Sequence, residues 1–252
     1  MMAGATHTTI MTHTLSRVSS LCLIALATAT VQSQAATMAV NGGSMSLDLD
    51  SSIFSALLLT TNDHFGATSS NSMTLATITN PATPGDTTDV WTGLPFGVNP
   101  ASISSPSGRT LPGTTLTYDP SNLTGTAAGQ IGLGGFTRFN GAGGLFYIGD
   151  YQLFYNATRA TGVYSGWYLQ NTAGFPANAF DFANVSTNVT GSGFTLSGDL
   201  VPNSDSFFSL YGLTGTDMGN FSFTATAVPE TSSALLGTLS MVGLLTRRRR
   251  TA

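Results

Sequence analysis

The sequence predicts a mainly β fold, an antiparallel β-sandwich of jelly-roll type, on three observations. Between Ala36 and Ala227 many short runs alternate apolar with polar side chains, the period of a strand with one buried face. Gly, Asn, Ser and Pro separate these runs, and no long amphipathic helix lies between them, which favours sheets packed face to face. A right-handed β-helix is the rival, but that fold needs a fixed repeat period and the chain has none.

Taken in order, Ser44 to Asp50 alternates as a half-buried strand. Ser51 or Ser52 would then cap a short apolar helix through Leu59, although a buried strand fits almost as well. Thr74 to Thr79 alternates again and reads as a strand. Seven residues, Pro81, Pro84, Gly85, Pro95, Pro100, Pro106 and Pro112, punctuate the next stretch, so 80–112 is expected to be mostly loop with one short strand near Val90 and Trp91. Strand patterns then follow closely at 114–118, 130–133 with 136–139, 144–155, 162–169, 179–185, 193–200 and 220–226. Between the last two, Ser204 to Gly212 predicts one short helix, with a capping serine, helically spaced Phe207, Phe208 and Tyr211, and a terminal glycine.

The stretch 36–227 contains no cysteine, so its core must hold it without disulfides, and a chain of this length buries enough surface for one self-sufficient domain. Its charge is unusual. The whole chain lacks lysine, and only Arg109, Arg138 and Arg159 fall within this stretch. Against them stand eleven aspartates and no glutamate, which leaves the domain eight charges negative. Nucleic acid and acidic lipid are therefore poor partners. Apolar and aromatic residues recur throughout, which argues against disorder.

Both ends of the chain read as targeting segments. Arg17 precedes an apolar segment from Val18 to Ala27, and the small residues of Ser33-Gln34-Ala35 suit signal peptidase, so residues 1–35 are expected to be a signal peptide cut after Ala35. Translation from Met11 would give a conventional short leader and the same mature chain. Cys22 lies inside the apolar segment beside Leu21, and reads as leader filler and not as a lipidation site.

At the other end, Val228-Pro229-Glu230-Thr231 precedes an uncharged run from Ala234 to Leu245, followed by Arg247, Arg248, Arg249 and Arg250. At ~1.5 Å per residue a helix from Ser232 to Thr246 spans about 22 Å, short of the ~30 Å hydrocarbon core. The four arginines supply a cytoplasmic cation excess and can snorkel to stretch the span. This order of motif, short apolar helix and arginine cluster resembles the PEP-CTERM sorting signal of Gram-negative surface proteins. Thr231 stands where the usual Pro-Glu-Pro has its second proline, so Pro229 and Glu230 are the matched signature residues. The resemblance implies an exosortase as partner, transient residence in the inner membrane, and association with exopolysaccharide or biofilm matrix. It covers 228–252 and implies nothing about the domain before it.

Residues able to carry chemistry are few. His64 is the one histidine of the mature stretch, so neither a two-histidine metal site nor a cysteine nucleophile can be built there. Gly162-Val163-Tyr164-Ser165-Gly166 misses the nucleophile-elbow spacing by one residue. Asp48 with Asp50, and Asp86 with Asp89, would suit calcium, yet no Asp-x-Asp-x-Asp-Gly loop occurs and solvated turn carboxylates are the plainer reading. Aromatic residues crowd two adjacent strands. Parity along 146–155 puts Tyr147, Tyr151 and Tyr155 on one face, which with Trp167 would form a platform for stacking on sugars; sheet packing is the competing use of the same rings. The expectation is an exported, non-enzymatic surface or matrix protein, holding exopolysaccharide on those four rings. A glycan-degrading or glycan-modifying enzyme on the same scaffold is the alternative.

Overall fold

The structure, a computed structural model, describes residues 37–230, and these form a mainly β domain whose named strands pair antiparallel throughout. The signal peptide expected at 1–35 and the apolar helix and arginine cluster expected after Thr231 lie outside the described residues. Among the described residues no helix is long and apolar enough to cross a membrane.

The strands are β1 (Met38–Leu49), β2 (Leu59–Gly66), β3 (Thr87–Thr88), β4 (Leu94–Val98), β5 (Thr117–Tyr118), β6 (Ile131–Gly141), β7 (Phe146–Tyr155), β8 (Tyr164–Asn171), β9 (Ala177–Thr190), β10 (Gly193–Val201) and β11 (Gly219–Pro229). The order β6-β4-β1-β11-β10-β9-β8-β7 comes back to β6, because β6 and β7 are themselves paired, and eight strands close into a barrel. One edge of β6 is shared: β4 takes Leu133 and Gly134, and β2 takes Gly135 to Gly141. The antiparallel β expectation therefore holds, and the sandwich is corrected to a barrel. Alternation shows that one face of each strand is buried, but it cannot show whether the outermost strands meet. Here they do, because long strands are bent by bulges where the register shifts in β1–β11, β9–β10, β8–β9 and β6–β7.

Inward side chains build the main core, with Leu47, Leu133, Phe139, Leu153, Trp167, Phe182, Phe194 and Phe223 all almost fully buried. A smaller core lies on the outer side of β6. Phe65, Ile78, Phe136 and Ala173 pack there with Met73, Leu75 and Tyr147, beneath the chain that carries α2 (Ala67–Ser70) and α3 (Leu75–Ile78). β6 is thus buried on both faces, which is why its sequence is less clearly alternating than that of β11.

Several local expectations change. α1 (Ser51–Ala56) is a helix, capped by Asp50 and not by a serine; the Asp50 carboxylate accepts from the Ser52 N–H at 2.9 Å. The strand expected at 74–79 is the single helical turn α3, because Thr74 caps it, accepting from the Thr77 N–H, while Leu75 and Ile78 share one face three residues apart. β2 is new, since its inward residues include the polar Asn62 and His64, leaving no apolar alternation to read. The proline-rich loop is as irregular as expected, with β3 and β4 flanking Trp91 in place of a strand at it. The last short helix is a 3-10 helix, Phe207–Tyr211, capped by Ser206 and stopped by Gly212 at φ 75°.

Candidate functional site

The described chain ends where it begins. Met38 pairs with Pro229 and Ala39 with Val228, and the Glu230 N–H donates to the Thr37 carbonyl at 2.8 Å. Val228 and Pro229, two residues of the motif expected from the sequence, are thus the last rungs of the β1–β11 ladder. β10 stops at Gly193 opposite Thr226, so beyond the bond from the Ala227 N–H to Ser192 the other edge of β11 is open. Alternation turns the nitrogen of Pro229 to that open side, where a missing N–H forfeits no ladder bond. Val228 is 47% exposed and Glu230 is exposed, so the motif presents its side chains while its backbone is held on one side.

The four rings predicted as a glycan platform do not share a surface. Where the β6–β7 register shifts, Gly134 and Gly135 of β6 stand opposite Asp150 alone, and Gly149 at φ 151° and Asp150 at φ 46° interrupt the regular run of β7. A Cβ on Gly149 would collide with the Gly135 carbonyl. Parity along β7 reverses at this point: Phe146 and Ile148 face the main core before it, and Tyr151, Leu153 and Tyr155 face the core after it. Tyr151 and Trp167 are 0% and 1% exposed, so neither offers a face to a sugar. Their Oη and Nε1 atoms have no hydrogen-bond partner among the described residues. Tyr155 packs half-buried at 5.2 Å from the Trp167 ring, and Tyr147 stacks on Phe136 at 5.3 Å in the outer core.

Charges are committed to structure. Arg109 grips Asp150 through two bonds, of 2.8 and 2.6 Å, and donates to the carbonyls of Ser70 and Met73. Arg138 pairs with Asp63 and donates to the carbonyls of Ile78, Asn80 and Thr83. Arg159 holds Asp181 and Asp205 with two bonds each and lies 4.4 Å over the Tyr168 ring. Each arginine pins an irregular connection to the barrel wall. The hydrogen bonds from Arg159 hold the Asp205 carboxyl below its ordinary range.

The four carboxylates considered for calcium serve as local acceptors. Asp48 accepts from the Gly93 N–H, Asp86 from the Gly66 N–H and Ser69, Asp89 from the Asn62 N–H, and Asp50 caps α1. Among the described residues no three metal-ligating side chains converge. His64 is buried with Nδ1 at 2.9 Å from the Thr137 hydroxyl and Nε2 at 2.9 Å from the Pro95 carbonyl. Burial pushes its pKa down.

Exposed apolar side chains gather at one barrel end. Leu210 is 85% exposed, Tyr211 57% and Phe175 36%. Phe207 lies 5.5 Å from the Phe175 ring and 5.8 Å from that of Phe146, and three-residue spacing on a 3-10 helix sets Leu210 above Phe207. The sequence offered one signal for this rim, the helix expected at 204–212, but it could not show which of its apolar residues stay outside.

No protein-family model matches the chain, and no curated protein matches it. A crystal structure of the C-terminal domain of HtaA from Corynebacterium glutamicum is similar at a TM-score of 0.43 and 15% identity, covering 76% of this chain and 99% of that one. A likeness of that degree carries no argument about what this chain does.

Proposed function

We propose that this chain is an exported, non-enzymatic surface or matrix protein, delivered by its C-terminal sorting tail and associated with exopolysaccharide. One observation carries the reading: the Val228-Pro229-Glu230 motif leaves the barrel at the last rung of β11 and is followed directly by the uncharged run and Arg247 to Arg250. Export by signal peptidase and the general machinery, brief anchoring in the inner membrane and processing by an exosortase follow from it. The engagement of Asp48, Asp50, Asp63, Asp86, Asp89, Asp150, Asp181 and Asp205 in caps, turns and ion pairs supports the non-enzymatic part, since these carboxylates already serve the fold.

The test is Pro229→Ala with Glu230→Ala in the native host. Pro229 ends β11 and donates nothing to the ladder, and Glu230 just beyond it bonds only through its backbone N–H, so the barrel should melt as in wild type. Full-length protein should nevertheless accumulate in the inner membrane. Wild-type size and location for this variant would overturn the reading.

A further inference from the structure

We propose that the far half of β9, Val185 to Thr190, is a docking edge for the same strand of a second copy of this chain. Among the described residues β8 covers β9 only as far as Ala183, and the Val163 carbonyl takes the Asn184 N–H just past it. On the other edge β10 runs on in unbroken register from Ser186 to Thr190. Thr190 and Gly193 close the two-residue turn Gly191-Ser192, so alternation points the N–H and C=O of Asn188 and Ser186 towards β10 and those of Thr187 and Val189 outward. Those outward groups have no partner strand among the described residues, and Ser186, Thr187, Asn188 and Thr190 are exposed. A row of open backbone donors and acceptors is satisfied by another strand.

The order of side chains selects the occupant. Val185-Ser186-Thr187-Asn188-Val189 reads nearly the same in both directions, with valine at both ends, a polar residue beside each and threonine at the centre. In an antiparallel pair two-fold about Thr187, Val185 of each copy faces Val189 of the other, on the side where both valines already pack against the main core. Thr187 meets its own counterpart, and Ser186 meets Asn188 on the opposite face. Proteins usually blunt an open edge with lysine, proline or a charge, and this one carries none. No charged residue stands between Val185 and Gly198, so two copies bring no like charges face to face here, although the domain is eight charges negative. More distant repulsion is screened beyond ~8 Å at physiological salt. Val163, 57% exposed, stands at the end of the ladder, where the turn of the other copy arrives. The contact uses up the same edge on both copies, so it closes as a dimer and does not grow. Five rungs bury less than the roughly 1,200 Å² of a stable complex, so the association is weak.

The experiment uses the chain as purified from its host, in a mild detergent that keeps the uncharged tail run from associating. Sedimentation at concentrations rising to about 1 mM should show a monomer passing to a dimer and to nothing larger. Thr187→Lys sets two like charges against each other and should weaken the association by about tenfold or more, with an unchanged melting temperature because Thr187 is exposed. A cysteine tests the register. With oxidised glutathione, Thr187→Cys should link two copies, whereas Thr195→Cys, exposed on the covered strand β10, should link no more than wild type does through Cys22. A monomer at every concentration overturns the inference, as does a lysine variant that associates like wild type, or equal linking at Thr187 and Thr195.

Discussion

Arg109 and Asp150 form a two-pronged ion pair in which neither side chain has any exposure. The carboxylate sits where β7 changes parity, opposite the β6 register shift, and the guanidinium comes from the proline-rich loop, so the pair ties the chain's most irregular region to that point of the barrel wall. Burial pushes the Asp150 carboxyl up, while the Arg109 bonds pull it down.

Arg109→Met should therefore destabilise the barrel by about 3 to 5 kcal/mol, because it strands a buried carboxylate. Arg109→Met with Asp150→Asn should recover much of that loss. In the single variant the folded Asp150 pKa rises further above its unfolded value, so the folded state holds the proton more tightly. Its stability is then greatest below about pH 4 and declines as pH rises towards the folded pKa. Urea melts of wild type and both variants at pH 4.5 and 7 check this.

Tyr151 is structural. Tyr151→Ala should cost about 3 to 5 kcal/mol, as for other large rings removed from a core. Tyr151→Phe should instead gain about 1 kcal/mol, since it removes a buried hydroxyl that has no partner among the described residues. Loss of stability in the phenylalanine variant would mean that the hydroxyl is bonded after all.

Most strands after Thr114 were legible because their apolar residues alternate towards the main core, as in β11. What stayed hidden depends on closure and on bulges. Nothing in Gly149-Asp150 announces a parity switch, yet that switch takes Tyr151 from the expected platform into the core beside Phe96. Asn62 and His64 hid β2 because polar residues at inward positions erase the alternation. The pairing of Val228 and Pro229 with Ala39 and Met38 needs the fold, since almost the whole domain separates the two strands. The pairing of all three arginines, two of them buried, was equally unreadable: the sequence shows that they are few, and only the fold shows that aspartates hold them.

His64 should make stability fall in mild acid. Burial depresses its folded pKa, so the unfolded chain takes up a proton first as pH drops below about 6.5. The contribution is present above that value and is lost as pH falls towards the folded pKa. His64→Gln should flatten the melting temperature between pH 7 and 5 while leaving sorting untouched. An unchanged slope would place the acid sensitivity elsewhere.

The strongest cellular prediction concerns the arginines after the uncharged run. That run is marginal as an anchor: its leucines contribute a few tenths of a kcal/mol each, and Gly237, Thr238, Ser240 and Gly243 return part of it. Drawing one arginine to the bilayer centre costs about 2.5 to 3.5 kcal/mol, so four in succession form a stop that export should not pull through. Changing Arg247, Arg248, Arg249 and Arg250 to Ala removes that stop and touches nothing in the barrel. The variant should slip outward and be found uncleaved in the periplasm or medium, folded and with the wild-type melting temperature. The Pro229 and Glu230 variant should instead stay in the inner membrane at full length. Two different locations from two changes less than twenty residues apart would separate reading of the motif from retention by the arginines. A shared location would mean that the two act as one element.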